Sequence, residues 1–266
     1  MEVIARIHND FPTKFGLPRQ SGLAPSLRSK IIFEPTYRVA EALRGLEEFS
    51  YIWLIWGFSA TSRASALQRA SEPFQTQRGR LGLTRAFGES TTVRSNEPAA
   101  PPGQPEPELH WSPTVRPPRL GGNVRMGVFA TRSPFRPNPI GLSSVRLESI
   151  EKDGDNGLVL IVSGADLMDG TPIYDIKPYL PGVDAHPEAT DGFVGSHRQE
   201  LLDVEIAPEL ASRLSADQLA TLREILAQDP RPAYHAAHAE PDRVYGLSYA
   251  GLDLHFTVDG QHLKAY

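Results

Sequence analysis

The 266-residue chain contains no cysteine, which excludes disulfide frameworks, thiolate nucleophiles and thiolate metal sites and is compatible with a reducing compartment. Its longest uninterrupted apolar run is YIWLIWGF, Tyr51 to Phe58, far short of the roughly 20 residues a membrane helix needs. Glu2, Arg6 and Asp10 interrupt the opening stretch, unlike the basic-then-apolar order of a secretory signal, so a cytoplasmic location is expected. No Gly-x-Gly-x-x-Gly follows an expected strand, and with it goes the dinucleotide-type phosphate and ribose site. Acidic residues are missing altogether between Glu108 and Glu148, a stretch that holds Arg116, Arg119, Arg125, Arg132, Arg136 and Arg146. A formal net charge of -5 argues against a general nucleic-acid binder, yet this block offers a local positive surface for phosphates or carboxylates. Solvated turn arginines are the alternative reading.

What is present reads mainly as strand and turn. Val3 to Ile7 alternates like a strand, Thr36 to Phe49 carries helical spacing, and Ser50 to Phe58 suits a buried strand. Thr61 to Leu109 has few clustered apolar residues and includes NEPAAPPGQPEPE. It reads as a Pro- and Arg-rich insertion with any helix confined to about Ala64 to Arg69. Further strands are expected in VRMGVFA, GLSSVRLESIE, LVLIVSG and Thr171 to Tyr179, with a hairpin turn at Asp153 to Gly157. After Pro181 the chain loosens until about Gln199. LLDVEIA, a helix over Ser215 to Ala227 with Ser215 and Gln218 placed as a capping box, and a hairpin-like tail then suggest a second small domain. The expected class is mainly β with some α: a barrel over residues 1–200, interrupted by the insertion at 61–109, then a small α+β domain over 201–266.

Four stretches are over-specified for folding alone: KFGLPRQSGL (Lys14 to Leu23), TVRPPRLGGN (Thr114 to Asn123), GVFATRSPFRPNPIGLS (Gly127 to Ser143) and DLMDGTPIYDIKPYLP (Asp166 to Pro181). Singly, each has a plain alternative as a rigid turn fixed by prolines or capped by Asn138, Asp166 or Asp169. Their order and spacing together resemble the TsaA-like family, whose characterised members are the TrmO tRNA methyltransferases, and ILAQDPRPAY (Ile225 to Tyr234) resembles that family's C-terminal motif. The resemblance implies a TsaA-like β-barrel that works as a homodimer. It also implies methyl transfer from S-adenosylmethionine to the N6 nitrogen of N6-threonylcarbamoyladenosine, adenosine 37, beside the anticodon of threonine tRNA. By the same resemblance, cofactor contacts fall on Pro18, Arg19, Gln20, Arg132, Leu142, Asp166, Leu167, Met168 and Asp169. They also fall on Ser59 and Ala60, where the family commonly has His and Gln. That departure removes two polar side chains from the expected pocket.

A sulfonium, a carboxylate, an amine and an adenine edge need acidic, basic and backbone groups to converge. Arg19, Arg132 and Arg136 are suited to the carboxylate, and Asp166 and Asp169 to the amine or ribose hydroxyls. The acceptor nitrogen must lose a proton as the methyl arrives. Asp175 and Lys177, two apart on an expected strand, share a face that Tyr179 continues, so the carboxylate can take the proton and the lysine can stabilise charge on the carbonyl. A structural pair bridging the sheet is the alternative, and proximity alone can supply much of the rate. For tRNA, Arg116, Arg119, Arg125, Arg136 and Arg231 are candidates for phosphates or the threonyl carboxylate. Tyr234, Tyr245 and Tyr249 are candidates for base stacking, with burial in the tail as the more ordinary role. His235 and His238 sit in a loop context without cysteine or a His-Glu-x-x-His pattern, so no metal is expected. Two other functions fit the same residues: a non-catalytic S-adenosylmethionine or RNA-binding module, motivated by Ser59 and Ala60, and methylation of a small carbamoylated metabolite, motivated by the acidic net charge.

Overall fold

A computed structural model describes residues 1–58, 111–120, 124–196, 200–232 and 240–266. Ser59, Ala60, the expected insertion helix, Tyr234, His235 and His238 lie outside these residues, as does the side chain of Arg119. Six strands close a barrel in the order β1-β2-β7-β6-β3-β8: β1 Ala5–His8, β2 Arg28–Phe33, β3 Tyr51–Gly57, β6 Ile140–Lys152, β7 Leu158–Ser163 and β8 Pro172–Pro178. Every pairing around it is antiparallel. Two-residue strands β4 Thr114–Val115 and β5 Met126–Gly127 form a separate ribbon. The pleat sets the faces: Ile52, Leu54 and Trp56 of β3 point inward with Val145 and Leu147 of β6, Ile31, Leu160, Val162 and Ile173. Truncating a fully buried leucine such as Leu54 would cost about 2–5 kcal/mol.

Thr36 to Phe49 is not the α-helix its spacing suggests. It forms three 3-10 turns, Pro35–Tyr37, Ala40–Leu43 and Leu46–Glu48, broken by Gly45 in the left-handed region at φ 84°. Leu43 at the end of the second turn and Leu46 at the start of the third nonetheless both pack on the barrel. Likewise only Met126–Gly127 of VRMGVFA is extended, and Val128–Ala130 turns back as a 3-10 turn.

Downstream, β9 Asp203–Ile206, β10 Tyr245–Tyr249, β11 Leu252–Asp259 and β12 His262–Ala265 form a sheet in the order β10-β11-β12-β9, with β12 and β9 parallel. The tail thus carries three strands, because two tight turns divide it: Ala250 and Gly251 (φ 51° and 73°), then one at Gly260 (φ 57°). After the short helices α1 Pro181–Asp184 and α2 Pro208–Ala211 comes α3, Ala216–Ala227. Its capping box is formed: Gln218 N–H donates to Ser215 Oγ at 3.2 Å, and Ser215 N–H donates to Gln218 Oε1 at 3.1 Å.

The second core is not built from residues after 200 alone. Phe11, Ala24 and Leu27, all from the segment between β1 and β2, are buried in one cluster with Leu222, Ile225, Tyr249 and Phe256. Gly16 (φ 82°) is required within this packing, since a Cβ there would lie 2.3 Å from Leu247 Cδ1. The β1–β2 connection therefore belongs to the barrel by sequence and to the C-terminal domain by packing.

Candidate cofactor and active site

Ser143 occupies an inward position on β6, between Gly141 and Val145, where a barrel core ordinarily takes an apolar residue. Trp56 Nε1–H donates to Ser143 Oγ at 2.9 Å, and Ser143 Oγ–H donates to Asp166 Oδ1 at 2.5 Å. Gly141 makes room for the indole, because a Cβ there would fall 2.2 Å from it. Gly22 N–H donates to Gly164 O at 2.8 Å, which brings the β1–β2 connection alongside the segment after β7. Ser21 N–H consequently also faces the Asp166 carboxylate. Arg132 Nη1 donates to Gln20 Oε1, so Gln20, Ser21, Arg132, Ser143 and Asp166 converge at one end of the barrel.

Burial pushes the Asp166 carboxyl above its ordinary value, against the opposing pull of Ser143, its own amide, the Arg132 charge and the Ser21 amide. A carboxylate in that position is under-compensated, and a cationic group brought to it would favour its charged form. An arginine and a mostly buried carboxyl on neighbouring elements match a zwitterionic amino-acid group with its own positive and negative ends. S-adenosylmethionine carries such a group, and this donor set fits it.

The remaining expected contacts divide. Pro18 is buried; Arg19 Nη2 donates to the carbonyls of Asp229 and Arg231, both at 3.3 Å. Leu167 lies in the barrel core, and the Met168 carbonyl accepts from Thr171. Asp169 Oδ1 accepts from Asn9 N–H at 3.2 Å and lies 3.1 Å from His8 Nδ1. Leu142 points outward and is 57% exposed. It pairs with Ile55, which pairs with Asp175, so a single cross-strand row on the outer face carries both an expected cofactor contact and the expected base. Two strand spacings, roughly 10 Å, separate the ends of that row. Lys177 Nζ lies 3.0 Å from Asp175 Oδ2 in the adjoining row, opposite Trp53. Tyr179 packs on Trp53 with ring centroids 5.4 Å apart.

Among the tRNA candidates, Arg116 is exposed, Arg125 donates to Thr114 Oγ1 at 2.9 Å, and half-buried Arg136 donates to Thr131 O at 3.2 Å. Arg231 stands apart: it is 8% exposed and donates from Nε and Nη2 to both carboxylate oxygens of Asp229, at 2.7 and 2.8 Å. Its guanidinium is thereby committed internally rather than presented to a phosphate. Tyr245 and Tyr249 are buried in the second core, and burial raises the Tyr249 hydroxyl above its ordinary pKa. Ser143, Ser21 and Trp56 are site residues that the motif reading passed over. Ser143 had a signal, a hydroxyl in phase with the inward positions of its strand.

Against families of known proteins, residues 6–97 and 104–185 match the tRNA-methyltransferase O N-terminal domain, and residues 199–265 match the TrmO C-terminal domain. The chain belongs to the TrmO family. An Escherichia coli relative named tRNA (adenine(37)-N6)-methyltransferase is 38% identical over 252 residues, covering 92% of this chain and 87% of that protein. A relative of the same name from Eikenella corrodens is 50% identical over 150 residues, 56% of this chain and 82% of that one. The crystal structure of TrmO from Pseudomonas aeruginosa aligns with a TM-score of 0.65 at 30% identity, over 100% of this chain and 95% of that one. As a TrmO-family member the protein is a tRNA methyltransferase with S-adenosylmethionine as methyl donor, and its fold is the closed barrel with a small α+β domain.

Proposed function

We propose that the protein methylates the N6 nitrogen of adenine 37 in tRNA, and that the adenine it accepts already carries a threonylcarbamoyl group, in threonine tRNA. The acceptor half of this reading rests on relatives named tRNA (adenine(37)-N6)-methyltransferase, and the observation that carries the methyl-donor half is the Asp166 carboxyl, largely buried, bonded to Ser143 and facing Arg132. S-adenosylmethionine, when bound, supplies an electrophilic methyl on a sulfonium. Asp166 binds its cationic end and Arg132 its carboxylate, with Gln20 orienting the guanidinium. On transfer the N6 nitrogen would gain the methyl carbon as the methyl–sulfur bond breaks, its electron pair leaving with the sulfur as a neutral thioether, and the nitrogen would lose its proton. Asp175 accepts that proton and passes it to solvent, while Lys177 stabilises charge on the neighbouring carbonyl. Arg116, Arg119, Arg125 and Arg136 serve the anticodon-loop phosphates and the threonyl carboxylate.

The protein acts in the cytoplasm, where its substrate is, and as a homodimer. The dimer is supported by an apolar patch on one side of the barrel, with Tyr51 44%, Leu180 43% and Val183 66% exposed. Val183→Glu should leave a monomer in light scattering; an unchanged mass sinks that assignment.

Transfer of labelled methyl from S-adenosylmethionine to threonine tRNA, with and without its threonylcarbamoyl group, tests the central reading. Incorporation that requires both the modification and Arg132 supports it. Incorporation without the modification moves the acceptor to plain adenine. No incorporation with cofactor binding intact returns the non-catalytic module suggested by Ser59 and Ala60. Transfer to a small carbamoylated compound, insensitive to salt, would favour the metabolite enzyme, because only tRNA binding weakens steeply with added salt.

A further inference from the structure

The C-terminal domain meets the cofactor pocket through one short piece of chain. Residues 11–27 are anchored on it at both ends and in the middle. Phe11, Ala24 and Leu27 are buried in its core, Ser26 N–H and Oγ–H donate to the Glu224 carboxylate at 2.9 and 2.8 Å, and Gln228 Nε2 donates to Leu23 O at 2.6 Å. The middle anchor is Arg19, which reaches two carbonyls, those of Asp229 and Arg231. The next two residues are Gln20 and Ser21, whose side chain and amide face Arg132 and Asp166.

Those two carbonyls are themselves held in an unusual shape. Asp229 is a non-glycine residue at φ 49°, in the left-handed region that costs a side-chain-bearing residue about 1 kcal/mol or more. The bidentate Arg231 to Asp229 pair, together with Arg231 N–H donating to Asp229 Oδ1 at 3.3 Å, closes this three-residue turn on itself. A planar guanidinium gripping both carboxylate oxygens fixes orientation as well as distance. The result is a rigid double acceptor aimed at Arg19.

We infer that the Asp229–Arg231 pair is a positioning device for the methyl-transfer reaction: by fixing the two carbonyls that receive Arg19, it sets Gln20 and Ser21 against Arg132 and Asp166. Arg231 then acts on the cofactor through Arg19 and not on tRNA directly, and the C-terminal domain is part of the cofactor site. This rests on the reading that Arg132 and Asp166 hold S-adenosylmethionine.

The test uses the full chain, with S-adenosylmethionine affinity read by calorimetry and threonine tRNA affinity read by filter binding across a salt series. Arg19→Met and Arg231→Met should each weaken S-adenosylmethionine binding about tenfold, the loss expected for one charge-assisted hydrogen-bond arm. KM for S-adenosylmethionine should rise while kcat at saturation stays near wild type, and tRNA affinity and its salt slope should not move. Asp229→Asn keeps a residue that tolerates the left-handed region and one acceptor oxygen, so it should recover most of the affinity. Arg19→Met combined with Arg231→Met should lose no more than the larger single change, since both act along one path. Fully additive losses, or cofactor affinity unchanged in Arg19→Met while Arg132→Ala abolishes it, overturn the inference. So does a tRNA salt slope shallower by about one in Arg231→Met, which would mark a direct phosphate contact. If Arg132→Ala itself binds the cofactor normally, the pocket reading fails and takes this inference with it. Should Arg231→Met not fold, Arg231→Lys, which keeps a charge but loses the two-armed grip on Asp229, takes its place in each comparison.

Discussion

Two aspartates begin and continue the same motif, and the fold gives them opposite surroundings. Asp166 sits at the barrel end, mostly buried, receives a hydroxyl from Ser143 and feels Arg132 across the pocket. Asp175, nine residues later on β8, stands on the outer face with its side chain 47% exposed, 3.0 Å from a lysine that is 61% exposed. Both are acid and base pairs by composition. Burial separates them: the first holds a charge that water does not fully solvate and is suited to meet a charged ligand, while the second can exchange its proton with solvent. Binding and proton transfer are thus expected to reside in different carboxylates.

Asp166→Ala should break the comparison most severely. Cofactor affinity should fall about 100-fold or more by calorimetry, since a paired, desolvated charge is worth several kcal/mol to its partner. Asp175→Asn should sharpen it, lowering kcat about 100-fold at saturating cofactor with affinity intact, the scale of one general base. If Asp175→Asn weakens cofactor binding and spares kcat, the division of roles is wrong.

The pH dependence of cofactor binding follows from Asp166. Its folded pKa lies above the unfolded value because burial disfavours the anion. Protonation therefore favours the folded state: that contribution is fully present below the unfolded pKa and is lost as pH rises through the folded pKa. Binding runs the other way, because the cationic ligand needs the anion. Cofactor affinity should decline on acidification, starting above the pH at which an ordinary aspartate titrates, while resistance to unfolding gains at this residue. Asp166→Asn should flatten the affinity profile and remove this one contribution to stability; a decline in affinity that survives in Asp166→Asn assigns the titration elsewhere.

Part of this division was legible in the chain and part was not. The density of Trp, Ile and Tyr over Ser50 to Phe58 placed β3, but the run is apolar throughout, so the inward set Ile52, Leu54 and Trp56 shows only once the barrel closes. Ser215 and Gln218 declare the start of α3 locally. Leu43 and Leu46 misled because they reach the same core from two separate 3-10 turns, parted by extended Arg44 and left-handed Gly45, and so imitate the spacing of one helix. Asp166 was found through its motif, whereas its partner Ser143 was marked only by a hydroxyl in phase with the inward positions of β6, a clue that names no partner until the barrel closes. Arg231 looked available for phosphate because its partner is two residues back, across a Pro in a left-handed turn, a pairing with no helical or strand period to announce it.

Gly141→Ala should have a smaller effect and enters the same pocket from behind. A Cβ there would meet the Trp56 indole at 2.2 Å, so the ring must move and its N–H to Ser143 must lengthen or break. Overpacking of this kind costs about 1–3 kcal/mol of stability. Cofactor affinity should drop a few-fold, since Ser143 keeps its own bond to Asp166 while losing the donor that oriented it. An unshifted melting temperature would mean that the indole has room the packing does not show.

The smallest effect on folding is expected from Lys177→Met, and it is the sharpest check on the outer-face pair. Exposed ion pairs contribute about 0–1 kcal/mol, because water screens them and both side chains lose freedom. With Lys177 61% and Asp175 47% exposed, thermal stability should hardly change. Activity should fall about tenfold if the lysine stabilises charge developing on the carbonyl beside N6. The two readouts part company only under the catalytic reading. If melting temperature drops and kcat does not, Asp175 and Lys177 are a brace across β3 and β8, and proton removal belongs to another group or to solvent.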